Sequence, residues 1–164
     1  MTTKHKYWGK VQEDWAGFSA EITFDSKHFG NNKITIFLGN EFDDDGEEIE
    51  TVPSNTELND FENTYASFII QLDEIIETMK DKTFERYLKL YAHYYENEKK
   101  SGEKPLNIST KEIHFEYIKD INYIRILENG NIKIPIHYKV DTEHGIEIRL
   151  ENNKILDIGG IAET

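Results

Sequence analysis

The stretch VPSNTELNDFENTYASFIIQLDEIIETM (52–79) decides the fold, because the hydrophobic period of the chain changes within it. Ser54 and Glu57 have the spacing of a helix-capping box, and a proline just before a helix is easily accommodated. Apolar residues then recur at steps of three and four, which predicts one long amphipathic helix. Its stripe comprises Leu58, Phe61, Tyr65, Phe68, Ile69, Leu72, Ile75, Ile76 and Met79.

Two more helices are predicted after this one. The second carries Phe84 and several tyrosines at helical spacing, and we expect it to start near Asp81 or Thr83. The polar run ENEKKSGEKP (96–105) ends it as a solvated linker. The segment STKEIHFEYI (109–118) then predicts a short third helix, with a second capping box formed by Ser109 and Glu112.

Upstream, the chain has the alternation typical of strands. Residues 18–25 alternate apolar and polar, and KITIFL (33–38) follows the turn-forming GNN (30–32), so these segments predict a hairpin. The segments YWGKV (7–11) and EEIETV (47–52) are weaker strand candidates, and the second follows an Asp-Gly turn.

Downstream, the chain returns to strands. Asn129-Gly130 predicts a type I′ hairpin turn before NIKIPIHYKV (131–140). Pro135 lacks a donor for the sheet ladder, so it must lie at an edge or at a bulge.

One further hairpin follows in residues 146–158. Its apolar residues share a face only if the loop holds an odd number of residues. We therefore expect a three-residue loop from Asn152 to Lys154, with one residue in the left-handed region.

These elements predict an α+β fold. An antiparallel sheet, made of an N-terminal meander and C-terminal hairpins, packs against two long helices and one short helix. We expect strands over about 7–52, helices over about 55–120 and strands over about 123–160, all within a single domain of residues 1–164.

Composition excludes several classes of function. The absence of cysteine removes disulfides, thiolate catalysis and cysteine-ligated zinc. No segment has the apolar length of a secretory signal or a membrane span, so we expect a soluble, cytoplasmic protein that does not bind membranes. A glycine-rich phosphate loop, a serine nucleophile elbow and a basic patch with aromatics are also missing, and we expect no cofactor.

The net charge of −13 is concentrated in one segment. Residues 34–79 hold 13 of the 32 acids and no Lys, Arg or His, which leaves 19 acids and 19 Lys or Arg in the rest of the chain. Such a field repels nucleic acid and attracts basic proteins or cations. The acids are Glu41, Asp43, Asp44, Asp45, Glu47, Glu48, Glu50, Glu57, Asp60, Glu62, Asp73, Glu74 and Glu77.

Calcium binding by EFDDDGEEIETV (41–52) is not expected. If Gly46 is aligned with the invariant glycine of an EF-hand, the bidentate glutamate position falls on Val52, and the flanks are strands. An exposed acidic hairpin tip is the favoured interpretation.

Three polar residues, Asp141, Glu143 and His144, lie close together before the last hairpin. They have the chemistry of a histidine base with an orienting carboxylate, or of a metal site. No activated nucleophile lies nearby in the sequence. We therefore favour a capped turn in which Gly145 supplies unusual backbone angles.

A second pair of possible metal ligands, His93 and Glu96, lies three residues apart on the second predicted helix. A di-metal bundle uses the order Glu-x-x-His, twice, and that pattern is missing. The tyrosines around this pair have helical spacing and are expected in the core, with their hydroxyls at its wet margin. They are Tyr87, Tyr91, Tyr94 and Tyr95.

The C-terminal HYKVDTEHGIEIRLENNKILDIGGIAET (137–164) resembles the tail of an uncharacterised family of small bacterial domains with an Asp-x-Glu-His-Gly turn before a short hairpin. FENTYASFIIQLDEIIETM (61–79) and YWGKV look similar to that family as well. Such tails commonly carry tryptophan where this chain has Val140. The resemblance implies an α+β domain with no established reaction, similar to suspected immunity partners of bacterial toxins.

We therefore expect a non-enzymatic acidic binding protein, an immunity protein that neutralises a basic toxin by protein contact. A solvated acidic face without a partner is the competing interpretation. A small metal-binding or metal-dependent hydrolytic domain using Asp141, Glu143 and His144 is the alternative. The expected partner-binding residues are Asp43, Asp44, Asp45, Glu47, Glu48, Glu57 and Asp60.

Overall fold

The computed structural model describes residues 1–30 and 33–164, which form nine strands and five helices. The strands are β1 (Thr2–His5), β2 (Gly9–Asp14), β3 (Gly17–Phe24), β4 (Ile34–Leu38), β5 (Asp120–Ile121), β6 (Ile124–Ile126), β7 (Asn131–His137), β8 (Ile146–Glu151) and β9 (Lys154–Gly159). The helices are α1 (Asn55–Ile70), α2 (Leu72–Leu90), α3 (Ala92–Tyr95), α4 (Glu98–Ser101) and α5 (Lys111–Phe115).

The predicted α+β class is confirmed. The strands form one sheet in the order β1-β2-β3-β4-β6-β7-β8-β9, with β5 also paired to β7. Every pairing is antiparallel except that of β4 with β6, where Ile36 lies opposite Ile124. This pair is parallel because the helical region carries the chain back to the starting end of the sheet before β6 begins.

Buried residues of the long helices and alternate residues of the strands form one hydrophobic cluster. Trp8, fully buried, donates its indole N–H to the carbonyl of Leu58 at 2.9 Å and so ties the start of β2 to α1. The opposite face of the sheet carries a row of directly paired residues: Ser19, Phe37, Arg125, Lys133, Arg149 and Asp157.

The predicted start of the first helix is confirmed, since Ser54 and Glu57 form a reciprocal capping box. The boundary between the first two helices was predicted wrongly. α1 ends at Ile70, and α2 runs without interruption from Leu72 to Leu90. Apolar spacing crosses this break unchanged, so periodicity does not reveal it. Thr83 does not start a helix, because its buried hydroxyl donates to the Met79 carbonyl, one turn earlier.

Three other local predictions need correction. The segment 47–52 forms no strand, and only a single bridge joins Phe42 to Glu48. The short helix α5 is capped by Thr110 rather than by Ser109. Strand β1 was not predicted, because TTKH has little apolar character. The predicted turn at 30–32 includes Asn31 and Asn32, which lie outside the described residues.

Pro135 lies inside the sheet, opposite a break in the neighbouring ladder. Its carbonyl accepts from the Asn122 N–H at 2.9 Å, so its backbone nitrogen also faces the gap between β5 and β6. The proline therefore lacks its donor at an irregular point of the ladder, where such a residue is tolerated.

The predicted three-residue loop in the last hairpin is wrong. Strands β8 and β9 are joined by a two-residue loop, Asn152–Asn153, with φ angles of 49° and 66°. Two positive φ angles are typical of a type I′ turn, and asparagine tolerates them better than most residues.

The extra residue that the apolar pattern requires lies in strand β9 instead of in the loop. Leu150 lies opposite Ile155, and Ile148 lies opposite Ile158, so the ladder skips one residue of β9. That residue is Leu156, which is 52% exposed. A β-bulge thus restores the apolar face that the sequence pattern requires.

Candidate functional site

The acidic loop, residues 41–50, projects between β4 and α1. Its two arms are joined by backbone hydrogen bonds from Asp43 to Glu47 (2.9 Å) and from Ile49 to Glu41 (2.9 Å). The carboxylate of Asp43 accepts from the backbone N–H groups of Asp45 and Glu47, each at 2.9 Å. Asp43 therefore holds the turn, whereas the other carboxylates of the tip contribute charge alone.

The carboxylates of this loop face solvent. Asp43, Asp44, Asp45, Glu47 and Glu48 are all exposed. Among the described residues, none of the five lies within 4.0 Å of a cation, and the ion pairs of the whole 34–79 segment involve only Asp73 and Glu77. The predicted anionic surface is thus not neutralised by lysines from elsewhere in the described chain.

A groove extends this surface along α1. It has a volume of about 410 Å³, and its lining includes Glu57, Asp60 and Glu128. A smaller hollow of about 110 Å³ also contains Glu57, together with Asn40 and Ile49 at the base of the acidic loop. Glu57 therefore adjoins the loop, and Asp60 lies in the groove beyond it. Glu128, from the β6–β7 hairpin, was not predicted, because only the folded chain brings that turn beside α1.

The turn predicted around Asp141 and His144 is confirmed. Asp141 accepts from the His144 N–H at 3.1 Å, its carbonyl accepts from the Gly145 N–H at 2.9 Å, and Gly145 has a φ of 64°. The His144 Nδ1 lies 3.0 Å from Asp141 Oδ2.

The ionisation of this pair follows from its contacts. Partial burial alone would raise the pKa of the Asp141 carboxyl, but hydrogen bonds from Tyr91 and His144 outweigh it and lower that pKa. The hydrogen bond to Asp141 and its charge raise the pKa of the exposed His144 imidazole.

At this turn the structure brings together two of the three predicted metal ligands, Asp141 and His144. Within residues 1–30 and 33–164, no three His, Asp or Glu side chains come together as metal ligands, and Glu143 is exposed without joining the pair. Asp141 instead receives a hydrogen bond from the Tyr91 hydroxyl at 2.8 Å. The arrangement can orient an imidazole, but it provides no nucleophile.

Behind the turn lies a buried network of tyrosine and histidine that the sequence analysis missed. His114 of α5 is fully buried, and its Nε2 lies 2.7 Å from the hydroxyl of the equally buried Tyr138. Burial, with a smaller effect of the Arg86 charge, lowers the pKa of His114 to about 4. Burial likewise raises the pKa of the Tyr138 hydroxyl. Both side chains are therefore neutral at physiological pH.

Glu96 organises the segment after α3 through hydrogen bonds. It accepts from the Tyr87 hydroxyl and from the backbone N–H groups of Asn107 (2.7 Å) and Ile108 (3.1 Å). His93 is exposed. Of the four tyrosines predicted in the core, Tyr87 is fully buried, two are half-buried, and Tyr94 is 44% exposed.

A separate aromatic cluster lies on the helix-free face of the sheet. The indole of Trp15 contacts the rings of Phe37 and Tyr123 edge to face, with centroids 5.1 and 5.4 Å apart. Trp15 is 65% exposed, whereas Phe37 is fully buried. The sequence gives no periodic signal for this cluster, because its members come from a turn, a strand and a loop.

Within the described residues, no helix combines the length and apolar character needed to cross a membrane. Searches of family models, curated proteins and solved structures find no match to this chain. The resemblance of its C-terminal residues to a family of suspected toxin-immunity proteins therefore stays a prediction.

Proposed function

We propose that this chain is a non-enzymatic binding protein that neutralises a basic protein, in the manner of an immunity protein acting on a toxin. The docking face comprises the acidic loop and the adjoining groove with Glu57 and Asp60. The observation that carries the proposal is the exposure of five loop carboxylates with no cation within 4.0 Å in the described chain.

Charge of this kind acts first on the rate of association. Opposite surface potentials steer two proteins together and raise the association rate constant well above that of a neutral pair. Exposed carboxylates also retain water until a partner arrives, so they contribute little to the stability of the free protein. A toxin that acts on nucleic acid presents a cationic groove, and an anionic face fits that groove.

The groove along α1 supplies shape as well as charge. Glu57 and Asp60 of α1 and Glu128 of the β6–β7 hairpin line a concavity of about 410 Å³, which is large enough for a lysine or arginine side chain. Carboxylates on both walls can accept hydrogen bonds from the several donors of such a cation.

The test uses the product of the neighbouring reading frame as partner, with an unrelated basic protein as comparison. The variant Asp44→Asn/Asp45→Asn/Glu47→Gln/Glu48→Gln removes four charges and leaves Asp43 to hold the turn. We expect association at low salt to slow about tenfold or more, with a flatter salt dependence. Stopped-flow mixing at several salt concentrations measures both quantities.

A matched control removes four exposed charges elsewhere, through Glu74→Gln/Glu85→Gln/Glu103→Gln/Glu112→Gln. If the position of the charge matters, this control keeps association close to that of the unmodified protein. Equal slowing in both variants would show an effect of net charge alone. Absence of binding, or equal affinity for the unrelated basic protein, would leave only a solvated acidic face.

A further inference from the structure

Trp15 is the most exposed aromatic side chain outside the helices, yet its ring is held in place. It lies in the turn between β2 and β3 and is 65% exposed. Its ring meets Phe37 at an interplanar angle of 86° and Tyr123 at 72°. Two edge-to-face contacts orient the indole while most of its surface stays in contact with water.

Arg125 links the residues beneath Trp15. The guanidinium of Arg125, which is 7% exposed, donates to the carbonyls of Ala16 (2.8 Å) and Gly39 (2.9 Å). The same group lies over the rings of Phe37 and Tyr123, 5.1 and 5.2 Å from their centroids. A preorganised tryptophan loses little side-chain entropy on binding, which is why this residue dominates many interfaces.

A carboxylate adjoins Trp15 in the turn. The carboxylate of Asp14, the preceding residue, accepts from the backbone N–H of Trp15 at 2.8 Å, and the exposed Glu13 lies 3.8 Å from the N-terminal ammonium. On the other side, a side chain added at Gly17 would meet the Cα of Glu41 at 3.6 Å, so the turn lies against the base of the acidic loop. The turn that carries Trp15 is therefore adjacent to the first residue of the acidic loop. An aromatic face with neighbouring negative charge is complementary to a cationic side chain.

We propose that Trp15 is the aromatic anchor of the docking face and receives an arginine side chain of the basic partner across its exposed ring. This inference rests on the proposed function and adds a specificity residue to it. Arginine fits better than lysine, because its planar and weakly hydrated guanidinium stacks on an indole while its N–H groups reach adjacent carboxylates.

The test uses two short homopeptides of equal length, one of arginine and one of lysine. Calorimetry measures their binding to the unmodified protein and to Trp15→Ala, Trp15→Phe and Leu90→Ala. Leu90 is 48% exposed on α2 and serves as the matched control. We expect Trp15→Ala to weaken arginine-peptide binding about two- to fivefold, Trp15→Phe to weaken it less, and Leu90→Ala to leave it unchanged.

Intrinsic fluorescence provides a second measurement. The chain has two tryptophans, and Trp8 is fully buried, so the difference between the unmodified protein and Trp15→Phe isolates the signal of Trp15. The arginine peptide should change this difference signal more than the lysine peptide does. An equal change with both peptides would overturn the preference for arginine.

The outcomes separate the anchor from the proposed function. The variant Asp44→Asn/Asp45→Asn/Glu47→Gln/Glu48→Gln is called the four-amide loop variant. If it abolishes peptide binding while Trp15→Ala changes nothing, the anchor is refuted and the acidic docking face stands. If Trp15→Ala weakens binding but the loop variant does not, the anchor stands and the charge-based function fails. If neither change matters, both proposals are overturned.

Discussion

His114 is kept as a neutral imidazole by its position between α2 and the sheet. Its ring packs against Tyr87 and Tyr138, with ring centroids 5.3 and 5.5 Å away, and its Nε2 shares a hydrogen bond with the Tyr138 hydroxyl. Protonation would place a charge in this apolar and partly cationic environment. The residue therefore makes the free energy of unfolding depend on pH.

Replacement of His114 by glutamine tests whether this residue makes the free energy of unfolding depend on pH. The native imidazole has a pKa of about 4, whereas the unfolded chain binds the proton near 6.5, so the free energy of unfolding falls as pH drops from 6.5 to 4. The full effect is on the order of 3 kcal/mol. Glutamine can keep the hydrogen bond to Tyr138 without titrating. Urea unfolding at a series of pH values should show a shallower slope in His114→Gln.

His144 gives the matched comparison because its pKa is shifted in the opposite direction. The contact with Asp141 raises the pKa of this imidazole, so its contribution to stability is complete below the unfolded pKa of about 6.5. That contribution is lost as pH rises through the folded pKa. Between pH 4 and the folded pKa of His144, His144→Gln should therefore change the pH dependence of the free energy of unfolding only above about pH 6.5. An unchanged slope between pH 4 and 6.5 in His114→Gln would contradict the assignment of the lower window.

Hydrogen-bond partners that lie close together in the sequence were predictable, whereas partners from distant segments were not. Asp141 and His144 are three residues apart with a glycine after them, so a capped turn was predictable. Tyr91, which donates to the same carboxylate, comes from the end of α2 and leaves no trace in the local pattern. His114 and Tyr138 show the same difficulty, because a polar contact between distant segments has no period.

At the scale of elements, the last hairpin shows how a correct pattern led to a wrong loop. The alternation of apolar residues required Ile148 to face Ile158, and the structure has that pair. One extra residue in the loop, or one bulged residue in the strand, would each place Ile148 opposite Ile158. The positive φ angles of Asn152 and Asn153 decide for the two-residue turn, and the bulge then becomes necessary.

Deletion of Leu156 tests the bulge directly. Without this residue the pairs on either side of it become consecutive, and the ladder continues in the same register. We expect the free energy of unfolding to change by less than about 1 kcal/mol, since half of the lost side chain is already exposed. Chemical denaturation followed by circular dichroism measures the change.

Deletion of Asn152 is the control, because it shortens the turn while the bulge stays in place. A one-residue connection cannot close this hairpin, so a loss of several kcal/mol is expected. Equal losses from the two deletions would show that Leu156 is required where it stands.

At the scale of the whole molecule, the uneven charge follows from the sequence alone. All of the net charge of −13 arises within residues 34–79, and the structure leaves most of those carboxylates without an ion pair in the described chain. The order of strands, helices and strands was likewise predictable from hydrophobic period. The pairing of β4 with β6 was not, because strands so far apart in sequence are brought together only by the packing of the helices between them.

This charge should make stability depend on salt. At about 0.1 M salt the screening length is roughly 10 Å, so neighbouring carboxylates of the acidic loop repel one another less than at low salt. We expect added sodium chloride to raise the free energy of unfolding by a few tenths of a kcal/mol for each relieved pair. The four-amide loop variant should gain less. A larger gain in that variant would mean that the repulsion lies elsewhere.

The parallel pair of β4 and β6 also divides the chain at a seam. In chain order, β1 to β4 and helices α1 to α4 come before it, and α5 and the remaining strands come after it. A ribosome releases the first group with β4 still unpaired along one edge, so the sheet cannot close until the second group has emerged. A single nick in the exposed residues 102–104 would leave each group whole, and the pairing of β4 with β6, together with the packing of α2 on α5 and β9, would hold the two pieces together without a covalent bond.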